Sequence, residues 1–239
     1  FIEATPYDAC AAIVFEPVQG EGGFIPAPIE WVKAVREICD KHGILMVCDE
    51  VQCGWARSGK MFASQYFADA GCAPDIMTTA KSIAAGLPLS AVTARAEIMD
   101  AVTGGTIGGT FGANAVSAAS ALKVVEVMER DDYPAKAMHI ADIAMKKFNE
   151  WKDKYECVGD VRGMGAMMGI EFVKDKASKT PDAELVGAIV QDAMNHGLML
   201  EAAGTYNNVI RFLCPLCVTD EQLNAGLEIL ENSIKACAK

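Results

Sequence analysis

The 239-residue sequence lacks a long uncharged apolar run, an excess of basic residues, and any internal repeat or low-complexity tract. Its apolar stretches fall far short of the roughly 20 residues that a membrane-crossing helix needs, so no membrane partner is expected. The formal net charge is -11. An acidic chain gains nothing from releasing counterions off a nucleic-acid backbone, so DNA and RNA are not expected partners either. A secretion signal is also missing from the opening Phe1-Ile2-Glu3-Ala4. Because the chain starts at Phe1 and not at Met, the expectation is a piece of a longer protein, so that any native targeting segment would lie outside it.

What is present is the composition of a globular protein, with 51% hydrophobic and 22% charged residues. Nine cysteines are scattered along the chain, several inside apolar runs such as Met46-Val47-Cys48. They read as small buried hydrophobes in a reducing compartment, the cytoplasm or an organelle matrix, and not as a disulfide framework. Cys214-Pro215-Leu216-Cys217 has C-x-x-C spacing but no second pair nearby, so no metal site is expected.

Short apolar runs alternate with helical stretches through the first half. Strands are expected at 11–15, 44–48, 76–79 and 89–93. A helix is expected over 27–42, where Ile29, Val32, Val35 and Ile38 recur at three-residue steps before Gly43. That alternation implies βαβ units and a largely parallel α/β sheet. A glycine-rich stretch from Gly104 to Gly112 follows, then helices near 114–130 and 134–155. Strand-bearing segments at 158–172 and 198–213, with helices over 182–196 and 220–238, read as a small α+β domain. The expected division is 1–130 and 131–239.

Several polar residues fall at or after the ends of the expected strands: Glu16 and Glu21 after the first, Asp49 at the second, Lys81 after the third. Ligands of open parallel sheets bind outside those ends. Taken alone, Asp49 also reads as a cap or turn residue, and Lys81 as the start of a loop. Small and apolar neighbours surround Lys81, from Thr78-Thr79-Ala80 to Ile83-Ala84-Ala85. Desolvation in such a setting would lower the amine's pKa, as a Schiff-base nucleophile requires.

Three blocks carry a family likeness: Glu16-Pro17-Val18-Gln19-Gly20-Glu21-Gly22-Gly23, Asp49-Glu50-Val51-Gln52-Cys53-Gly54-Trp55-Ala56-Arg57-Ser58-Gly59, and Thr79-Ala80-Lys81-Ser82 running into Gly86-Leu87-Pro88. Gly109-Thr110-Phe111, Gly159-Asp160-Val161-Arg162-Gly163-Met164-Gly165 and Asn208-Val209-Ile210-Arg211-Phe212 extend it. In order and spacing the chain resembles the C-terminal part of the class III, or ω-amino-acid, aminotransferases, most of all those acting on 4-aminobutyrate. The resemblance implies a fold-type-I architecture: part of the mainly parallel sheet of a large domain, with a small C-terminal domain. It also implies a homodimer, with the phosphate loop and a ring-stacking aromatic supplied by an N-terminal segment outside this chain.

By the same resemblance the cofactor is pyridoxal 5'-phosphate. Lys81 would form the internal aldimine and shuttle the proton, and Asp49 would pair with the protonated pyridine nitrogen. Val51 would pack on the ring, Gln52 would bond near its phenolic oxygen, and Thr110 would reach the phosphate of the partner subunit. Arg211 would take a substrate carboxylate, and Glu21 would neutralise Arg211 when an ω-amine is bound. The implied reaction passes an amino group from an ω-amino acid to a 2-oxo acid such as 2-oxoglutarate. A racemase or epimerase of the same fold, and a non-catalytic fragment, stay open. Trp55-Ala56 stands where the family usually has a smaller aromatic and glycine, and Phe111-Gly112-Ala113-Asn114 is also a variant run.

Overall fold

The computed structural model describes residues 9–106 and 108–238. In chain order its elements begin with β1 (Ala12–Phe15), β2 (Val18–Gln19), β3 (Ile25–Pro26), α1 (Ile29–His42), β4 (Leu45–Asp49) and α2 (Ser64–Asp69). Then come β5 (Ile76–Thr79), a one-turn 3-10 helix (Lys81–Ala84), β6 (Ala91–Ala94), α3 (Ala96–Met99), α4 (Ala115–Arg130) and α5 (Tyr133–Lys154). The last are β7 (Val158–Met164), β8 (Met167–Phe172), α6 (Ala183–Asn195), β9 (Glu201–Ala203), β10 (Val209–Phe212) and α7 (Asp220–Cys237). They divide into two compact units. The first holds the residues up to Pro17, Ala27–Ala56 and Lys60–Asp132. Val18–Pro26 and Arg57–Gly59 join everything from Tyr133 onward in the second. A single cut in the sequence does not anticipate those two short segments.

In the first unit the strands run in the order β1-β4-β5-β6. β4 is parallel to both β1 and β5, while β6 is antiparallel to β5. The largely parallel pattern expected from sequence therefore ends at β6. Its connection from β5 is too short for the crossover of a dozen or more residues that a parallel neighbour needs. α1 buries Val32, Val35 and Cys39 against Ile44, Met46, Cys48, Phe67 and Cys72. The stripe closes on Cys39 and not on Ile38, because strict three-residue steps drift off one face of a helix with 3.6 residues per turn. Gly43 ends α1 in the left-handed region at φ 67°, where a side chain would be strained, and its N–H caps the Cys39 carbonyl.

Asp75 ties this unit together. Its carboxylate accepts from the Met46 N–H at 2.7 Å and from Arg36 Nη1 at 2.8 Å, and pairs with Arg95 Nη2 at 3.2 Å. Those donors come from β4, from α1 and from the segment following β6. Burial by itself would raise the Asp75 pKa; the N–H and the two guanidiniums outweigh it and hold the carboxyl below its ordinary range.

The second unit is built on an antiparallel sheet, β7-β8-β10-β9, with β2 and β3 forming a separate hairpin. Met164 pairs with Met167 across the tight β7–β8 turn. Phe148 and Trp151 of α5 are buried, with Phe148 edge-on to Phe212 of β10 at 5.3 Å. Helix starts follow local chemistry. The Asp182 side chain caps α6 through the Leu185 N–H, and Thr219 with Gln222 forms a capping box on α7.

Replacing Asp75 by asparagine should cost about 2–4 kcal/mol at pH 7, since it leaves a buried guanidinium contact without its anion. A carboxyl with a lowered folded pKa stabilises above its unfolded value near 4 and loses that contribution as pH falls through the folded value. Urea unfolding of parent and Asp75→Asn should therefore show a gap at pH 7 that narrows below about pH 4. Equal midpoints at pH 7 would show that the cluster holds nothing.

Candidate active site

β4 and β5 are adjacent and parallel, with Asp49 in register with Thr78. Asp49 closes β4, and Lys81 lies two residues beyond the end of β5. The two therefore sit at the C-terminal ends of neighbouring parallel strands, as the sequence spacing led one to expect. The Val51 N–H donates to Asp49 Oδ1 at 3.0 Å. That turn leaves Oδ2 without a protein donor among the described residues. Gln52 follows, its Oε1 buried and without a hydrogen-bond partner.

Lys81 opens the 3-10 turn with φ 49°, and Ala85 closes it with φ 51°. Left-handed backbone at a residue with a β-carbon costs roughly 1–2 kcal/mol, and such strain collects at functional sites. The turn is held from α4, where the Ser120 hydroxyl donates to the Ala84 carbonyl at 3.0 Å. Ile83 and Ala84 turn into the core, while Lys81 itself is exposed within this chain. A 3-10 turn spreads successive side chains around its axis, which separates the lysine from the residues beside it in sequence. Thr110 is likewise exposed, in a turn of the glycine-rich stretch.

Sequence reasoning gave no role to Glu50, yet it fixes the segment after Asp49. Glu50 is fully buried and accepts from the Ala63 N–H at 3.1 Å and the Ser64 N–H at 2.5 Å, the open start of α2. Burial raises its pKa despite those donors, and neighbouring Asp49 adds to the rise. The only sequence signal was an acidic pair after five apolar residues. Trp55 and Ala56 both adopt left-handed backbone, φ 57° and 67°, and Trp55 stacks edge-on against Phe62 at 5.3 Å. A glycine meets no steric cost at such a backbone, which is why alanine at 56 is a notable departure.

The second unit brings Glu21 and Arg211 together although 190 positions separate them. Arg211 Nη1 lies 2.6 Å from Glu21 Oε1. Its Nη2 lies 2.5 Å from Glu201 Oε2, a contact that no sequence feature announced. Arg211 Nε is buried without a partner. The turn carrying Glu21 is clamped on both sides. The Gly204 N–H donates to the Glu21 carbonyl at 2.9 Å, while Arg162 donates to the Gly23 carbonyl through Nε at 3.0 Å and Nη2 at 2.7 Å. Gly23 has φ 116°, and a β-carbon there would meet Arg162 Nη2 and Gly204 Cα at 3.3 Å. Asp160 and Glu171 hold the far side of the Arg162 guanidinium.

Arg57, also in the second unit, donates to the Cys214 carbonyl at 2.7 Å and to the Ala166 carbonyl at 3.4 Å. Burial lowers its pKa. The C-x-x-C segment is thus used through a backbone oxygen. Among the described residues no group of three His, Cys, Asp or Glu side chains gathers to hold a metal.

A carboxylate with one unused oxygen, a primary amine and a side-chain amide fit an aromatic ring with a protonated nitrogen, an aldehyde and a phenolic oxygen, the amide through its NH2 group as donor. That is the functional-group set of pyridoxal phosphate. Comparison with known proteins agrees. A family model described as aminotransferase class-III matches residues 2–234. The chain is 45% identical over 229 residues to a 5-aminovalerate aminotransferase of Pseudomonas putida, covering 96% of this chain and 53% of that protein. It is 44% identical over 228 residues to the 4-aminobutyrate aminotransferase of Escherichia coli, covering 95% and 53%. The chain thus spans about half the length of the curated relatives it matches.

Among solved structures, an aminotransferase of Bacillus anthracis superposes with a TM-score of 0.91 at 32% identity, over 98% of this chain and 54% of that one. A PLP-bound amine transaminase from an uncultivated Pseudomonas species gives 0.90 at 32%, over 99% and 54%. With the family match running almost from end to end, the chain belongs to the class III aminotransferases, a family of pyridoxal-phosphate-dependent enzymes.

Proposed function

We propose that the whole protein is a transaminase that moves the terminal amino group of a 4-aminobutyrate-like ω-amino acid onto 2-oxoglutarate. The observation that carries this reading is the Arg211–Glu21 ion pair of 2.6 Å. A transaminase must accept two substrates in turn, one presenting a carboxylate where the other presents none. A cation with its own removable anion answers that need. A racemase, which handles one amino acid in both directions, has no use for such a pair. The relatives named for 4-aminobutyrate and 5-aminovalerate support a straight-chain donor with a terminal amine.

Pyridoxal phosphate, when bound, supplies the electron-accepting ring. Lys81 would hold it covalently through Nζ and, once the substrate amine takes its place and frees Nζ, would move the proton from the amine-bearing carbon of the substrate to the cofactor. Asp49, through the oxygen not engaged by Val51, would keep the ring nitrogen protonated. Val51 would pack on the ring and Gln52 would bond to its phenolic oxygen. Thr110 would serve the phosphate of a second copy, so the enzyme works as a homodimer. The first unit corresponds in this reading to the large cofactor-binding domain and the second to the small C-terminal domain. Nine cysteines outside any disulfide suit the reducing cytoplasm.

Borohydride treatment of the cofactor-loaded protein, followed by peptide mapping, should place the reduced label on Lys81. Label on another lysine would remove Lys81 from its role.

Arg211→Ala should weaken use of 2-oxoglutarate by at least about tenfold, since a sheltered bidentate contact to a carboxylate exceeds the 1.36 kcal/mol of one decade. Glu21→Gln should act on the opposite half-reaction, slowing ω-amino donors and favouring α-amino acids. Each half-reaction is to be followed separately in the intact protein. Equal slowing of both halves by each substitution would make the pair structural.

A further inference from the structure

Arg211 carries a second carboxylate that the two-substrate reading does not use. We propose that Glu201 is a specificity-determining residue, which keeps Arg211 partly neutralised after Glu21 withdraws and so weakens dicarboxylates relative to ω-amino donors. The inference rests on the proposed role of Arg211 as the receiver of the dicarboxylate.

The geometry sets Glu201 apart from Glu21. Glu201 lies on β9 directly opposite Arg211 on β10, in an antiparallel register that continues through Ala202–Ile210 and Ala203–Val209. Its Oε2 holds Nη2 at 2.5 Å, while Glu21 holds Nη1 at 2.6 Å. Because the nitrogens differ, both carboxylates bind at once. The Arg211 side chain is only 15% exposed, against 77% for Glu21 and 66% for Glu201. The cation is therefore sheltered and both anions approach it from the solvent side.

Two carboxylates on one guanidinium leave the cluster with a net charge of one negative unit. An incoming carboxylate is repelled until one of them leaves. If Glu21 leaves, Glu201 still balances the cation. It also occupies Nη2, the nitrogen common to both edges of a guanidinium that can grip a carboxylate through two N–H groups. Withdrawal of Glu21 alone thus restores only part of the carboxylate affinity of Arg211. An ω-amino donor, whose amine end needs no cation there, loses nothing.

The test uses the intact, cofactor-loaded protein. Substituting Glu201→Gln should lower the KM for 2-oxoglutarate by about two- to fivefold, the upper span of a cross-strand charge pair. The inhibition constant of glutarate, a dicarboxylate with neither amine nor carbonyl, should fall in parallel. Glu201→Leu should move both values the same way, while Glu201→Asp, which keeps the charge, should return them toward the parent. Thermal unfolding of each variant reports that the fold is retained. Unchanged or raised values in both Glu201→Gln and Glu201→Leu would overturn the proposal while Arg211→Ala still impaired 2-oxoglutarate use. Should Arg211→Ala leave 2-oxoglutarate use intact, the reading of Arg211 falls, and the role of Glu201 with it.

Discussion

A fully buried carboxylate has to be met by donors, and Glu50 is met by the backbone N–H groups at the start of α2. That requirement folds the segment after β4 back onto the beginning of the helix. Asp49, Val51 and Gln52 all lie on the stretch so fixed. A carboxylate is a strong partner for an unsatisfied helix start, since the N–H groups there carry partial positive charge. The geometry of the carboxylate proposed to serve the ring nitrogen is therefore set by the residue beside it, which touches no ligand in the proposed scheme.

The second unit solves a comparable problem with cations. The Glu21 turn is held by Arg162 through the Gly23 carbonyl and by the Gly204 N–H. Asp160 and Glu171 pair with Arg162, and Lys152 pairs with Asp160 at 2.8 Å, so the clamp brings no uncompensated charge into its half-buried site. Arg57 stitches its own short segment to the β7–β8 turn, where the Ala166 N–H also donates to the Arg57 carbonyl at 3.0 Å. Each clamp is a guanidinium donating to backbone oxygens, a contact that holds whatever side chains surround it.

Much of the fold could be read from one sequence because its helices and buried strands carry strong local signals. The helix expected over 182–196 is α6 with Asp182 as its cap, and the expected strand at 76–79 is β5. Less could be read where direction and partner are nonlocal. Nothing in Leu89–Thr93 says that its strand runs antiparallel to β5. Nothing in Val18–Pro26 says that it joins residues more than a hundred positions away. Arg162 stood inside a recognisable motif, but a motif names a residue without naming the carbonyl it will hold.

The sequence by itself determined the family, through the resemblance of its ordered motifs, and the extents of α1, α4, α5, α6 and α7 to within a residue or two. The helix extents follow from side-chain periodicity and capping chemistry, which act over a few positions, and the short α2 and α3 hold too few residues to carry such a signal. Tertiary structure alone decided that Lys81 is exposed, that Glu50 caps α2, and that Arg211 carries Glu201 beside Glu21. Burial and charge pairing are properties of what the folded chain brings alongside a side chain. The spacing of the sequence constrains them only through the register and packing it permits.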